Sequence, residues 1–251
     1  MSLLTIAAPE KCGLDPERWN SALSLGLIQT QEHTSSRTQA DGEETASSLL
    51  HEIGEGLRLA VGNPILRALL GSAATVSLSG GIIGTLYALY FVQELGLSPL
   101  QLGLVVGFGG VSALVGAFMV TRVTERFGIG PTLIGSRLVA SAASALMVLA
   151  WGPLRIVIPL LLVSQAADAV WSIYAINEVS LQQAITPNHL LGRVHASVRF
   201  LTGIIFPVGA LLGGLLGQTI GLRGAISVGL LMGALSSLWL IFSPARKMEK
   251  I

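Results

Sequence analysis

The chain has 251 residues, of which 51% are hydrophobic and 12% charged, and its formal net charge is +1. Ordinary globular domains carry about 25% charged residues, so most of this surface must be solvated by lipid rather than water. A net charge this small gives no reason to expect nucleic acid as a partner, and the single Cys12 excludes an internal disulfide.

The N-terminus, MSLLTIAAPEKCGLDPERW, lacks a basic stretch followed by an apolar core, which predicts no cleaved signal peptide. Residues 1–47 differ in makeup from the rest, and QTQEHTSSRTQADGEETASS has the composition of a disordered tail. Residues 48–64 predict a cytoplasmic amphipathic helix or linker at the membrane surface. Leu50, Ile53, Leu57 and Val61 share one face there, and Asn63-Pro64 breaks the helix. From 65 to 245, sparse ionisable residues separate apolar windows of roughly 20 residues, the length that crosses about 30 Å of hydrocarbon. The predicted helices cover about 68–92, 99–121, 131–151, 155–176, 200–220 and 223–243, with 246–251 as a short tail. Backbone groups in lipid must be satisfied within their own segment, so the expected fold class is an all-α membrane protein of six transmembrane helices.

Orientation follows from the bases near the span ends. One side receives Arg58, Arg67, Arg122, Arg126, Arg137, Arg193, Arg199, Arg246, Lys247 and Lys250, and the other only Arg155 and Arg223. That asymmetry predicts a multi-pass protein of the cytoplasmic membrane with both termini cytoplasmic.

Asp168, in SQAADAVWSIY, is the one acid inside a predicted apolar span. A mid-bilayer carboxylate costs roughly 2.5–3.5 kcal/mol on insertion scales, so it should face a cavity or a partner. Ser164, Gln165 and Asp168 share a helical face, which suits binding of a cation, a proton or a substrate; an acid merely hydrogen-bonded to neighbouring helices is the plainer alternative. In the first span, Ser72 and Thr75 lie on a polar face that continues towards Tyr90, and either line a water-filled path or ease helix packing. In PVGALLGGLLG, the spacing of Gly209, Gly213 and Gly217 makes a bare ridge for close helix approach, static or sliding. The stretch TPNHLLGRVHASVRF reads as a cytoplasmic loop, with Thr186-Pro187 starting a helix and Arg193 available to pair with an acid. His189 and His195 lack carboxylate or thiolate company, and no metal site is expected. The only lysines are Lys11, Lys247 and Lys250, so no phosphate-binding Gly-Lys loop exists. With no nucleophile elbow or metal-protease signature either, neither an enzyme nor a cofactor is expected.

The turn TERFGIGPT, residues 124–132, leads to a family. It resembles the cytoplasmic motif of the major facilitator superfamily, Gly-x-x-x-Asp-Arg-x-Gly-Arg-Arg. Glu125 takes the acid position, Arg126 the base and Gly128 the glycine, while Thr121, Ile129 and Gly130 depart from the pattern. Together with EGLRLAVGNPILRALL and TPNHLLGRVHASVRF, the turn more narrowly resembles the bacterial exporter branch that includes enterobactin exporters and macrolide-type efflux proteins. The resemblance covers about residues 50 to 245 and implies the C-terminal six-helix half of such a fold, a 3+3 inverted repeat. It implies proton-coupled efflux of drugs or siderophore-like molecules, with membrane lipids and a small-molecule substrate as partners. Half a cavity wall also implies a truncated product, a second half-transporter or a homodimer. A membrane scaffold or regulatory subunit without transport is the competing expectation.

Overall fold

The computed structural model describes residues 54–244, and among these every regular element is helical. The expectations for residues 1–47 and 246–251, and for Leu50 and Ile53, fall outside the described residues.

A short helix, α1 (54–62), precedes the first span. Its buried positions are Gly56 and Ala60, whereas Val61 of the expected apolar stripe is exposed. The reason is steric. A Cβ on Gly56 would collide with the Arg193 carbonyl and the Ser197 hydroxyl, so the smallest residues make the closest approach to the bundle; Leu57 of the stripe packs partly buried on the Ala60, Leu66 and Leu70 cluster, and Val61 turns away. The break at Asn63-Pro64 stands. Asn63 Oδ1 accepts hydrogen bonds from the Ile65 and Leu66 amides at 2.9 and 3.3 Å, capping α2 (Pro64–Leu89) with Pro64 in its first turn.

Helix α2 ends in a π-helical turn, Tyr90–Glu94. Helix α3 (Pro99–Phe127) starts from a capping box in which Ser98 Oγ accepts from the Gln101 amide and Gln101 Oε1 accepts from the Ser98 amide. Gly128 joins α3 to α4 (Ile129–Leu149) at φ +80° and ψ 163°, a conformation that only glycine adopts without strain. Helices α5 (Leu154–Ala166) and α6 (Asp168–Ile185) form one span broken at Ala167. After a 3-10 turn at Asn188–Leu190, a helical run covers Leu191–Ile241 and is interrupted at Gly221, φ +78°. We call its arms α7 (191–220) and α8 (222–241). Five helical runs among the described residues are long and apolar enough to cross a membrane, and the last, interrupted at Gly221, is long enough to cross twice, which gives six crossings.

The helices outlast the apolar windows. Helix α3 continues past its window to Phe127, with Glu125 and Arg126 in its last turn as the motif reading expects; the fourth span continues to Ile185, and α7 begins at Leu191, so the helical run expected after Gly192-Arg193 is present and includes His195 and Arg199. Thr186 does not start the next helix: its hydroxyl donates back to the Gln182 carbonyl, closing α6. An apolar window measures hydrocarbon thickness, and a helix does not unwind on leaving it, because its backbone bonds are internal.

Packing gives the fold its symmetry. Helix α2 packs chiefly on the α7–α8 run, and α3 on α5 and α6. If the first three spans are exchanged with the last three, the first-with-fifth pair becomes the fourth-with-second pair, which is the inverted-repeat arrangement. Both crossings are tight. A Cβ on Gly81 would strike the Phe206 carbonyl, one on Gly209 the Leu78 carbonyl, and one on Gly116 the Ala169 carbonyl. Apolar clusters fill each end of the bundle, around Tyr90, Phe91 and Leu161 at one and Leu133, Leu181 and Leu240 at the other. Elsewhere α3 and α7 expose large apolar side chains such as Phe118 and Leu211, as lipid-facing helices do.

Candidate substrate site

The break between α5 and α6 sets the position of Asp168. The Ala167 amide donates to the Ser164 carbonyl at 3.2 Å, and Asp168 becomes the first residue of α6. The exposed amides of a helix start favour an acid there. Asp168 stands 14 residues from Leu154 and 17 from Ile185 (168 − 154 and 185 − 168), so it is close to mid-span. Across from it, α3 presents buried Gly109, where a Cβ would strike Asp168 Oδ2 and lie 2.7 Å from Gln165 Nε2. The missing side chain is what lets both polar groups lie against α3. From α2, Tyr87 donates its hydroxyl to Gln165 Oε1 at 3.3 Å, and its ring stacks on Phe91 with centroids 4.4 Å apart.

Asp168, Gln165 and Tyr87 thus make a half-buried cluster where three helices meet. Among the described residues no base pairs with Asp168; the ion pairs there are Arg193–Glu55 and Arg223–Glu94. A carboxylate without a counter-ion, an amide and a phenol can together hold a cation, a proton or a hydrogen-bonding organic molecule. Ser164 is buried one turn before Asp168.

The other polar candidates sit elsewhere. Ser72 is buried against Tyr174, its hydroxyl 3.3 Å from that of the tyrosine. Thr75 donates back to the Gly71 carbonyl on its own helix. Tyr90 is fully buried and donates to the Met147 carbonyl at 3.0 Å. The guanidinium of Arg223 lies 5.8 Å from the Tyr90 ring and bonds the Ala150 carbonyl, so this end of the bundle is a clasp rather than a cavity. It is Tyr87, one turn earlier, that reaches the Asp168 cluster.

The sequence reading missed a second polar cluster. Arg137, there counted among the bases flanking a span, lies inside α4 with only 4% of its surface exposed. Its Nε donates to Ser236 Oγ at 2.8 Å and an Nη to the Gly233 carbonyl at 3.1 Å, both on α8. The guanidinium also lies over the stacked rings of Trp171 and Tyr174 on α6, at 4.7 and 5.3 Å. Glu178, one turn after Tyr174, is within electrostatic range of both Arg137 and the Tyr174 hydroxyl. Through Ser72 the network reaches α2. Asn177 was missed as well: its Oδ1 accepts from Thr124 of α3 at 2.9 Å and its Nδ2 donates to the Ile173 carbonyl. The available signal was a strong base and an acid standing within otherwise apolar runs, IGSRLV and AINEVS.

Of the motif residues, Glu125 and Arg126 are exposed, the latter over the Phe127 ring at 5.6 Å, and Gly128 makes the turn. Arg193 pairs with Glu55 of α1 at 2.8 Å on the surface. A Cβ on Gly209 or Gly213 would strike the α2 backbone at Leu78 or Ile82, and one on Gly217 would lie 3.2 Å from the Leu86 side chain.

Comparison with known proteins agrees with this architecture. The family model described as Major Facilitator Superfamily matches residues 33–251, a stretch that takes in residues 33–47, which the sequence reading had set apart. A search of curated proteins gives no significant match. Among solved structures, the chain is similar to the crystal structure of a bacterial homologue of the iron transporter ferroportin in an outward-facing state. The TM-score is 0.61 at 22% identity, over 74% of this chain and 46% of that one. This chain therefore spans about half the length of the structure it matches, and the likeness is one of fold.

Proposed function

The chain belongs to the Major Facilitator Superfamily, and we propose that it forms one six-helix wall of a secondary transporter that exports drugs or siderophore-like small molecules, coupled to protons. The observation that carries this reading is the Asp168–Gln165–Tyr87 cluster: a mid-span carboxylate with no counter-ion among the described residues, held between three helices by the vacancy at Gly109. An ionisable group in that position is a functional-site hypothesis by default, since stability alone would have removed it. Transport needs a second six-helix wall facing this one, and alternating access arises as the two walls rock. The base asymmetry supports a cytoplasmic-membrane location with both termini inside; taking Arg137 out of the count leaves nine bases against two (10 − 1).

Efflux of a panel of hydrophobic cations from cells expressing the chain, compared with its D168N variant at equal membrane levels, tests the proposal. Energy-dependent efflux that D168N abolishes is the expected result; equal efflux in both removes Asp168 from the mechanism. The competing reading is a scaffold or regulatory subunit without transport. It is the reading to adopt if no efflux is seen and the chain co-purifies with an intact transporter.

A further inference from the structure

At the basic end of the bundle, where α2 begins and α8 ends, a groove of about 590 Å³ runs between the two helices. Its walls are apolar, formed by Leu235, Leu238, Trp239 and Phe242, and its mouth holds Arg67. A second cavity of about 620 Å³ shares Pro64 with the first and contains Arg58. From Pro64 to Thr75 the groove follows α2 for 11 residues (75 − 64), about 16 Å at 1.5 Å per residue, roughly one leaflet of a 30 Å hydrocarbon layer. Gly71 makes this shape possible: a Cβ there would lie 2.6 Å from the Trp239 ring, which instead settles flat against α2.

Among the described residues the charges at the mouth are not balanced. Glu55, the acid lining the second cavity, is taken by Arg193 at 2.8 Å, and no acid among the described residues pairs with Arg58 or Arg67. We propose that this groove binds an anionic phospholipid, with an acyl chain between α2 and α8 and the headgroup phosphate between Arg58 and Arg67. The dimensions and the charge fit this occupant. The chain's own segment after Pro244 reads ARKMEK, with three bases to one acid, and like charge opposes its entry. Leu59 and Val61, exposed on α1 beside Arg58, suit burial at the same headgroup level. The site is independent of the transport reading and needs only the membrane-spanning fold.

Trp239 supplies the probe. With Trp19, Trp151 and Trp171 changed to Phe, the full chain is reconstituted in phosphatidylcholine vesicles containing a minority of phosphatidylglycerol, with acyl-chain bromines on one lipid or the other. The expected result is that brominated phosphatidylglycerol quenches Trp239 several-fold more than its mole fraction predicts. R58Q/R67Q should remove that excess, and R199Q, a base on the same face away from the groove, should keep it. Quenching that follows mole fraction for both lipids overturns the proposal, because Trp239 then meets only bulk lipid. Weak quenching by both overturns it too, since protein then fills the groove. Should the tryptophan-depleted chain fail to fold, native mass spectrometry of the wild type decides: a phosphatidylglycerol adduct that outlasts phosphatidylcholine and is lost in R58Q/R67Q sustains the site, and equal adducts of both lipids sink it.

Discussion

Arg137 and Asp168 are both charged residues within apolar spans, and their surroundings are opposite. Arg137 is enclosed by two acceptors on α8, two aromatic rings on α6 and the nearby carboxylate of Glu178. Asp168 is half-buried, meets no base among the described residues, and lies against the vacancy at Gly109. A buried ion whose partners are all in place ties helices together and has little left to offer a ligand. An ion held between helices without a counter-charge does little for the fold and remains open to one. The two clusters therefore separate what holds this bundle from what it can act with.

The largest effect that would sharpen the contrast is expected from R137M. It removes the charged donor to the Ser236 hydroxyl and the Gly233 carbonyl and the cation within electrostatic range of Glu178, and each lost charged hydrogen bond is worth about 1.5–3 kcal/mol. The detergent-solubilised protein should lose most of its thermal stability, and R137M/E178Q should regain part of it; an unchanged melting temperature in R137M would make the cluster incidental. Next comes G116L, which forces a side chain into the Ala169 carbonyl at the α3–α6 crossing. Overpacking of this kind costs about 1–3 kcal/mol, visible as a lower melting temperature. Y87F removes one hydrogen bond to Gln165, worth about 0.5–1.5 kcal/mol, and should weaken efflux more than it weakens the fold. Smallest in stability is D168N, expected within about 0.5 kcal/mol of wild type although transport is lost. A D168N chain that unfolds would erase the distinction between the clusters. E55Q serves as the control, since the exposed Arg193 pair it breaks is worth about 1 kcal/mol or less.

Much of the framework was legible in the chain. The apolar windows located all six crossings because lipid leaves a helix no other way to satisfy its backbone, and the Asn63-Pro64 break and the glycine ridge lie where their chemistry puts them. Asp168 stood out because it interrupts an apolar run. The same rule hid Arg137 and Glu178: counting Arg137 as a base flanking its span and ending the fourth span before Glu178 left neither as a partner inside the bundle. The polar stripe of α2 pointed towards Tyr90, whereas it is Tyr87 that meets Gln165, since a stripe on one helix does not say which neighbour each hydroxyl will meet.

What the sequence by itself determined was the number of crossings, their lipid-facing character and the glycine ridge at Gly209, Gly213 and Gly217, because these depend on local composition and helical geometry. Which polar residues are paired and which are left open was decided only by tertiary structure. Arg137 finds Ser236 across 99 positions and Tyr87 finds Gln165 across 78, and separations of that kind close only when the helices pack. The pairing of spans sets those encounters, and it is carried by backbone contacts at Gly81, Gly116 and Gly209 whose partners no single segment specifies.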